Sequence, residues 1–280
     1  MHVFVDNFSP FLVNIQLFGH RLGLRWYGLA YAFGFLLAFS YFRAALRQKT
    51  IAGFSQETLE RLTLAIALGV VVGGRVGFVV QHPHEMLTDP LFAFRIWEGG
   101  MAFFGGLIGT ILSILWVVRR DHLRFLSVTD VAVFPAVLGL AFGRIANFIN
   151  GELIGKPTNG RWGVVFPEVD RLPRHPSQLY EAASHFLLFS ILVSVKRWFP
   201  AWISAARGRL SFLFLALYGF FRFLTDFFRA DDTYWGPFSD GQWVSLLLSL
   251  IGFIALWRLQ PQYHGSTERI LRTILRRRQK

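Results

Sequence analysis

GLAFGRIANFINGELIG, residues 139–155, is the polar end of a stretch otherwise apolar enough to cross a bilayer. A guanidinium at membrane depth costs about 2.5–3.5 kcal/mol even on lenient insertion scales, so Arg144 needs a charged ligand or a partner there. A second cation, Arg222, lies in a similar run, LSFLFLALYGFFRFLTDFFR at 210–229. Two intramembrane cations call for an anion, and within lipid the obvious one is a phospholipid phosphate. Arginine suits it because its planar fork donates two parallel hydrogen bonds.

Composition points to the same phase. The chain has 280 residues, 53% of them hydrophobic and only 16% charged, where a soluble protein carries about 25% charged residues. Several apolar runs approach the length of about twenty residues that a bilayer requires. The net charge of +12 would suggest nucleic acid in a soluble protein. Here the basic residues sit in loops, so membrane topology accounts for them and no nucleic-acid partner is expected. Cysteine is absent, which excludes a disulfide framework, a thiolate metal site and a cysteine nucleophile. Any sulfur chemistry must use a thiol that the substrate brings.

Seven helices are expected, at about 26–46, 59–80, 99–118, 127–149, 177–195, 210–228 and 241–258, giving an all-α polytopic membrane protein in one integral membrane domain, 1–280. The loops 43–61, 119–124, 196–209 and 258–280 carry 18 Lys and Arg, against 8 in 1–25, 81–98, 150–176 and 229–240. The positive-inside rule then places the N-terminus outside and the C-terminus in the cytoplasm. The tail 259–280, with ERILRTILRRRQK at its end, serves as a topology anchor against anionic lipid. Asp6, Asn7 and Pro10 interrupt the first apolar residues, so no cleavable signal is expected. Residues 11–25 partly alternate around Gly19-His20 and predict a short interfacial hairpin within an arm spanning 1–25. The Gly- and Pro-rich segment 150–176 predicts a small external cap.

Arg144 and Asn147 are three residues apart and share a helical face, which Glu152 extends if the helix continues past Gly151. Tyr218, Arg222, Asp226 and Arg229 recur at i, i+4, i+8 and i+11. Arg222 and Asp226 either pair with each other or leave the cation for a ligand. Arg144 has only uncharged near neighbours, Asn147 and Asn150. Arg75, in VVGGRVGF, reads as structural, and His20, His82 and His84 read as surface loop residues. Glycines four apart (Gly69/Gly73/Gly77, Gly105/Gly109 and Gly139/Gly143) read as helix-packing contacts. No HExxH, GxSxG, P-loop or paired metal-ligand spacing occurs, so neither a metal nor a nucleotide cofactor is expected.

An ordered set of motifs runs through most of the chain: Trp26-Tyr27-Gly28, GGRVGF (73–78), RIWEGGMAF (95–103), GGLIG (105–109), Asp130, GRIANFINGELIG (143–155), RHPSQLYE (174–181) and YGFFRFLTDFFR (218–229). In this set the chain resembles the bacterial prolipoprotein diacylglyceryl transferases. The resemblance implies transfer of the sn-1,2-diacylglyceryl group of phosphatidylglycerol to the lipobox cysteine thiol of a preprolipoprotein, at the bacterial cytoplasmic (inner) membrane. A thioether forms and glycerol phosphate leaves. It implies catalytic roles for Arg144, Arg222, Tyr27, Asn147, Glu152 and Tyr218, and substrate binding by Arg144, Arg222, Asn147, Gly155 and His175.

The family signature carries a histidine just before GGLIG, where this chain has Phe104. Phenylalanine accepts no proton. Three readings follow: the arginine field lowers the thiol pKa enough to dispense with a base, His175 or Tyr218 substitutes, or the chain is an altered paralogue that binds or transports anionic phospholipid. Asp226 stands where glutamate is common in the family, a milder change.

Overall fold

The computed structural model describes residues 4–17, 20–95, 99–230 and 233–260. The basic tail 261–280, Gly19 and residues 96–98 of the RIWEGGMAF motif lie outside the described residues.

The chain opens with a two-residue strand, β1 (Phe4–Val5), and then β2 (Phe11–Leu17) paired antiparallel with β3 (His20–Arg25), the hairpin expected there. The long elements that follow are all helices: α1 (Trp26–Arg47), α2 (Gln56–Gln81), α4 (Phe103–Arg120), α5 (Phe125–Ile149), α6 (Ser177–Trp198), α8 (Arg209–Asp226) and α9 (Asp240–Arg258). Two short helices, α3 (Pro83–Thr88) and α7 (Pro200–Ser204), each begin with proline, whose fixed φ suits a first turn. Strand β4 (Val164–Val165) lies in the 150–176 segment, and β5 (Tyr234–Trp235) pairs with β6 (Phe238–Ser239) just before α9.

Helix limits follow local chemistry. Helix α2 starts at Gln56, ahead of the expected 59, because the Ser55 hydroxyl accepts the Thr58 N–H and caps it. Helix α4 starts at Phe103, not 99, because Gly99 and Gly100 hold φ of 89° and 83°. Helix α8 starts at Arg209 after Gly208 at φ 88°. Gly151, at φ 66°, turns the chain just past the end of α5, so the helix does not continue and Glu152 does not extend its face.

Among the described residues six helices (α1, α2, α4, α5, α6 and α9) are long and apolar enough to cross a membrane, and the chain is a multi-pass membrane protein. Helix α8 is as long as α4, but Arg209, Arg222 and Asp226 fall within its 18 residues. Their outer surfaces are apolar: Leu64, Leu68, Val80, Ile108 and Leu247 are all exposed. The interior carries the polar groups, among them Arg75, Asn147, Gln178, Glu181, His185 and Asp226. Hydrocarbon outside and polar side chains inside suit a solvent of lipid.

Helices α2 and α4 meet along a glycine seam. A Cβ on Gly77 would lie 2.9 Å from the Gly105 Cα, and one on Gly69 would lie 2.5 Å from the Gly109 carbonyl oxygen. The seam was legible as glycines four apart, but Gly139/Gly143 is a correction: a Cβ at either would meet nothing within 4 Å. Helix α5 is the hinge of the packing. One stretch joins α1, α2 and α4 through Val128 and Val131 against Phe42, Leu59, Leu62 and Val117. The next joins α6 and α8 through Val133, Phe134 and Val137 against Leu188, Leu192 and Leu210. A separate small cluster, Phe148, Ile154, Val164 and Phe166, seats the 150–176 segment on the end of α5.

Candidate functional site

The ends of α5, α6 and α8 bring the polar residues together. Glu181, one turn into α6 and only 1% exposed, is the point of convergence. Its Oε2 lies 2.8 Å from the Nε of Arg144 on α5. Its Oε1 lies 3.4 Å from Nη1 of Arg222 on α8 and accepts from Nη1 of Arg229 at 3.1 Å. Arg222 also pairs within its own helix, Nη1 to Asp226 Oδ1 at 2.5 Å. Asp226 in turn accepts a 2.6 Å hydrogen bond from Ser239 Oγ, the residue that caps α9.

Arg144 and Arg222 thus point toward each other across a shared carboxylate. The expectation that Arg144 has no acidic neighbour is corrected: the acid comes from another helix, which spacing along α5 does not register. Each guanidinium nevertheless has five N–H donors. Among the described residues Arg222 meets carboxylates only through Nη1. Arg144 uses Nε on Glu181 and Nη1 on Asn147 Oδ1 at 3.4 Å. Three guanidinium groups face two buried carboxylates, so the cluster keeps a positive excess that the exposed Glu152 meets only at its edge.

Asn147 and Glu152 do meet, although the helix stops between them. Asn147 Nδ2 donates to Glu152 Oε2 at 2.9 Å, and the Glu152 carbonyl accepts from Gln178 Nε2 at 2.6 Å. Gly155 is pressed between the backbones of His175 and Phe228. Its N–H donates to the His175 carbonyl at 3.1 Å and its own carbonyl accepts from Arg174 Nη1 at 3.0 Å. A Cβ there would come within 2.7 Å of the Phe228 carbonyl oxygen. The fit explains the glycine through close backbone approach.

The remaining expected residues are placed less directly. His175 packs its ring on Phe228, 5.0 Å between centroids, with Nδ1 3.2 Å from the Tyr180 hydroxyl. Burial pushes its imidazole below the ordinary 6.5. Tyr218 stacks on His185, 5.7 Å apart and 14° between planes. Tyr27 contacts Tyr31 and, among the described residues, makes no hydrogen bond to either arginine. It shares their end of the bundle: the antiparallel pairs Tyr41–Phe134 and Phe33–Phe142 set a register that puts Tyr27 level with Phe148. Phe104 is 68% exposed on the first turn of α4. Arg75 is structural, donating to the carbonyls of Phe92, Ala93, Gly99 and Gly100 between the rings of Phe78 and Phe92.

Sequence reasoning missed Glu181 and His185 as site residues. The signal was present: Ser177, Gln178, Glu181 and His185 recur at i, i+1, i+4 and i+8 along one face of α6, and all four are buried.

A family model for prolipoprotein diacylglyceryl transferase matches residues 13–258. The chain belongs to the prolipoprotein diacylglyceryl transferase family. Among similar proteins, the phosphatidylglycerol–prolipoprotein diacylglyceryl transferase of Cupriavidus pinatubonensis is 40% identical, covering 94% of this chain and 95% of its own length. The protein of the same name from Geobacter sulfurreducens is 42% identical over 84% of this chain and 90% of its own length. That from Nitrosomonas europaea is 40% identical over 97% and 96%. Within this transferase family member, the arginines that composition made conspicuous and the acid that holds them occupy one cluster.

Proposed function

We propose that this transferase moves the sn-1,2-diacylglyceryl group of phosphatidylglycerol onto the lipobox cysteine thiol of a preprolipoprotein. The sulfur forms a bond to the glyceryl carbon, the bond from that carbon to the phosphate oxygen breaks, and glycerol phosphate departs. The observation that carries the reading is the convergence of Arg144, Arg222 and Arg229 on Glu181, with donors of Arg144 and Arg222 left over for a phosphate. Positive charge fixed beside the leaving group stabilises what develops there in the transition state. The same field favours thiolate over thiol.

Arg144 and Arg222 hold the phosphate. Asn147 and Glu152 orient Arg144, Tyr218 and Tyr27 orient the lipid by hydrogen bonding, and Gly155 and His175 complete the lipid-binding side of the site. The names of the relatives support the two substrates. Helix α8 completes a seventh span, its charges tolerated because Glu181 and Ser239 meet them inside the bundle. The chain is one integral membrane domain in the bacterial inner membrane, with the N-terminus outside and the C-terminus cytoplasmic. The arm 1–25 lies at the interface, 150–176 forms the external cap and 259–280 anchors in the cytoplasm.

The test is incubation of the purified chain with phosphatidylglycerol and a peptide carrying a lipobox cysteine. Thioether-linked peptide and glycerol phosphate are expected in equal amounts. Their absence under every condition overturns the proposal.

A further inference from the structure

His185 is the titratable group that the arginine cluster leaves unused. It lies on α6, is 3% exposed, and its Nδ1 is buried without a hydrogen-bond partner among the described residues. Buried nitrogens of this kind are rare in native proteins, and each requires a reason such as a ligand atom that completes it. The ring is held flat by its stack on Tyr218. The charged groups that face it are Glu181 on its own helix, Arg144 on α5 and Arg222 on α8.

Its position suits a proton acceptor. In a displacement the attacking sulfur stands opposite the leaving phosphate, about 3 Å from the carbon. A base then sits about 3 Å beyond the sulfur. His185 follows Glu181, the residue that gathers the arginines, by four positions, so both lie buried on one face of α6. The usual histidine position is Phe104 here. His175, the other imidazole of this region, already has its Nδ1 against the Tyr180 hydroxyl.

Resting on the transferase reading, we propose that His185 Nδ1 takes the proton of the substrate thiol as its sulfur attacks. The S–H bond breaks toward nitrogen, and the sulfur pair forms the C–S bond. The C–O pair leaves with glycerol phosphate. The imidazolium then releases its proton to water, which restores neutral His185.

The full chain is reconstituted in vesicles containing phosphatidylglycerol, and glycerol phosphate release to a lipobox-cysteine peptide is followed against pH for the parent and His185→Gln. Retention of a fluorescent phosphatidylglycerol is measured on both. His185→Gln is expected to lose at least about 100-fold in kcat near neutrality, with KM for lipid held within about twofold. The deficit is expected to narrow above about pH 8.5, where the thiol ionises unaided. A near-parental rate overturns the assignment, as does a deficit that stays constant with pH or one accompanied by lost lipid retention. A silent parent overturns the transferase reading as well, whereas an active parent with an indifferent variant overturns His185 alone.

Discussion

The Nε of Arg144 lies 2.8 Å from Oε2 of Glu181, tying the end of α5 to the start of α6. Because the other carboxylate oxygen reaches Arg222 and Arg229, this one contact sets the spacing of the whole cationic cluster. Removing the acid leaves buried guanidinium groups with one carboxylate among them. Glu181→Gln is expected to cost about 3–5 kcal/mol, the range for breaking a buried pair, read as a lowered midpoint of thermal unfolding in detergent. An unchanged midpoint means the carboxylate does not compensate the arginines.

Arg144→Lys keeps the charge and loses the fork. An ammonium serves Glu181 or a phosphate, but not both in planar register. Losing a buried charged hydrogen bond costs about 2 kcal/mol or more, so kcat/KM is expected to fall about 30-fold or further. Turnover equal to the parent removes two-pronged phosphate binding from the mechanism.

Gly155→Ala places a methyl group 2.7 Å from the Phe228 carbonyl oxygen and 2.8 Å from the His175 Cβ. Overpacking of this kind costs about 1–3 kcal/mol. Faster hydrogen exchange across 155–175 is expected, with reduced turnover. Gly139→Ala, where a Cβ meets nothing within 4 Å, serves as the tolerated control. Equal exchange in the two variants counts against a tightly seated cap.

The cap also carries a pH dependence. Arg174 hydrogen-bonds Asp170 and holds its carboxyl below the ordinary 3.8. A folded-state value below the unfolded one means that the unfolded chain binds the proton more readily. The clamp therefore contributes fully above about pH 4 and fades as pH falls through the folded value. Protease cleavage within 160–173 is expected to speed up under those acid conditions in the parent and much less so in Asp170→Asn.

Phe104→His tests where the proton goes. With His185 in place, the new imidazole on the exposed first turn of α4 is expected to change turnover by less than about tenfold, small beside the full contribution of a general base. A gain of about 100-fold or more assigns the function to position 104 instead.

The helices were legible because each is a run of apolar residues whose length the bilayer dictates. Their ends were less so, since Gly99, Gly100 and Gly208 act through positive φ that a hydropathy window averages away. Arg144 and Arg222 stood out because charge in hydrocarbon is conspicuous. Glu181 did not, because it sits near the start of its helix, where an acid reads as an ordinary surface residue. Its importance comes from what α5 and α8 place against it, and pairing across helices leaves no trace in spacing along one of them. For the same reason Gly69, Gly73 and Gly77 were read correctly as a seam while a Cβ on Gly139 or Gly143, at identical spacing, would meet nothing within 4 Å.

Strand β1, Phe4–Val5, runs parallel to Val164–Val165, and the Asp6 N–H donates to the Val165 carbonyl at 2.9 Å. Helices α1, α2, α4 and α5 all lie between these two strands in the chain, so they must be in place before the pair can close. The earlier strand therefore waits unpaired while the helices between the two assemble.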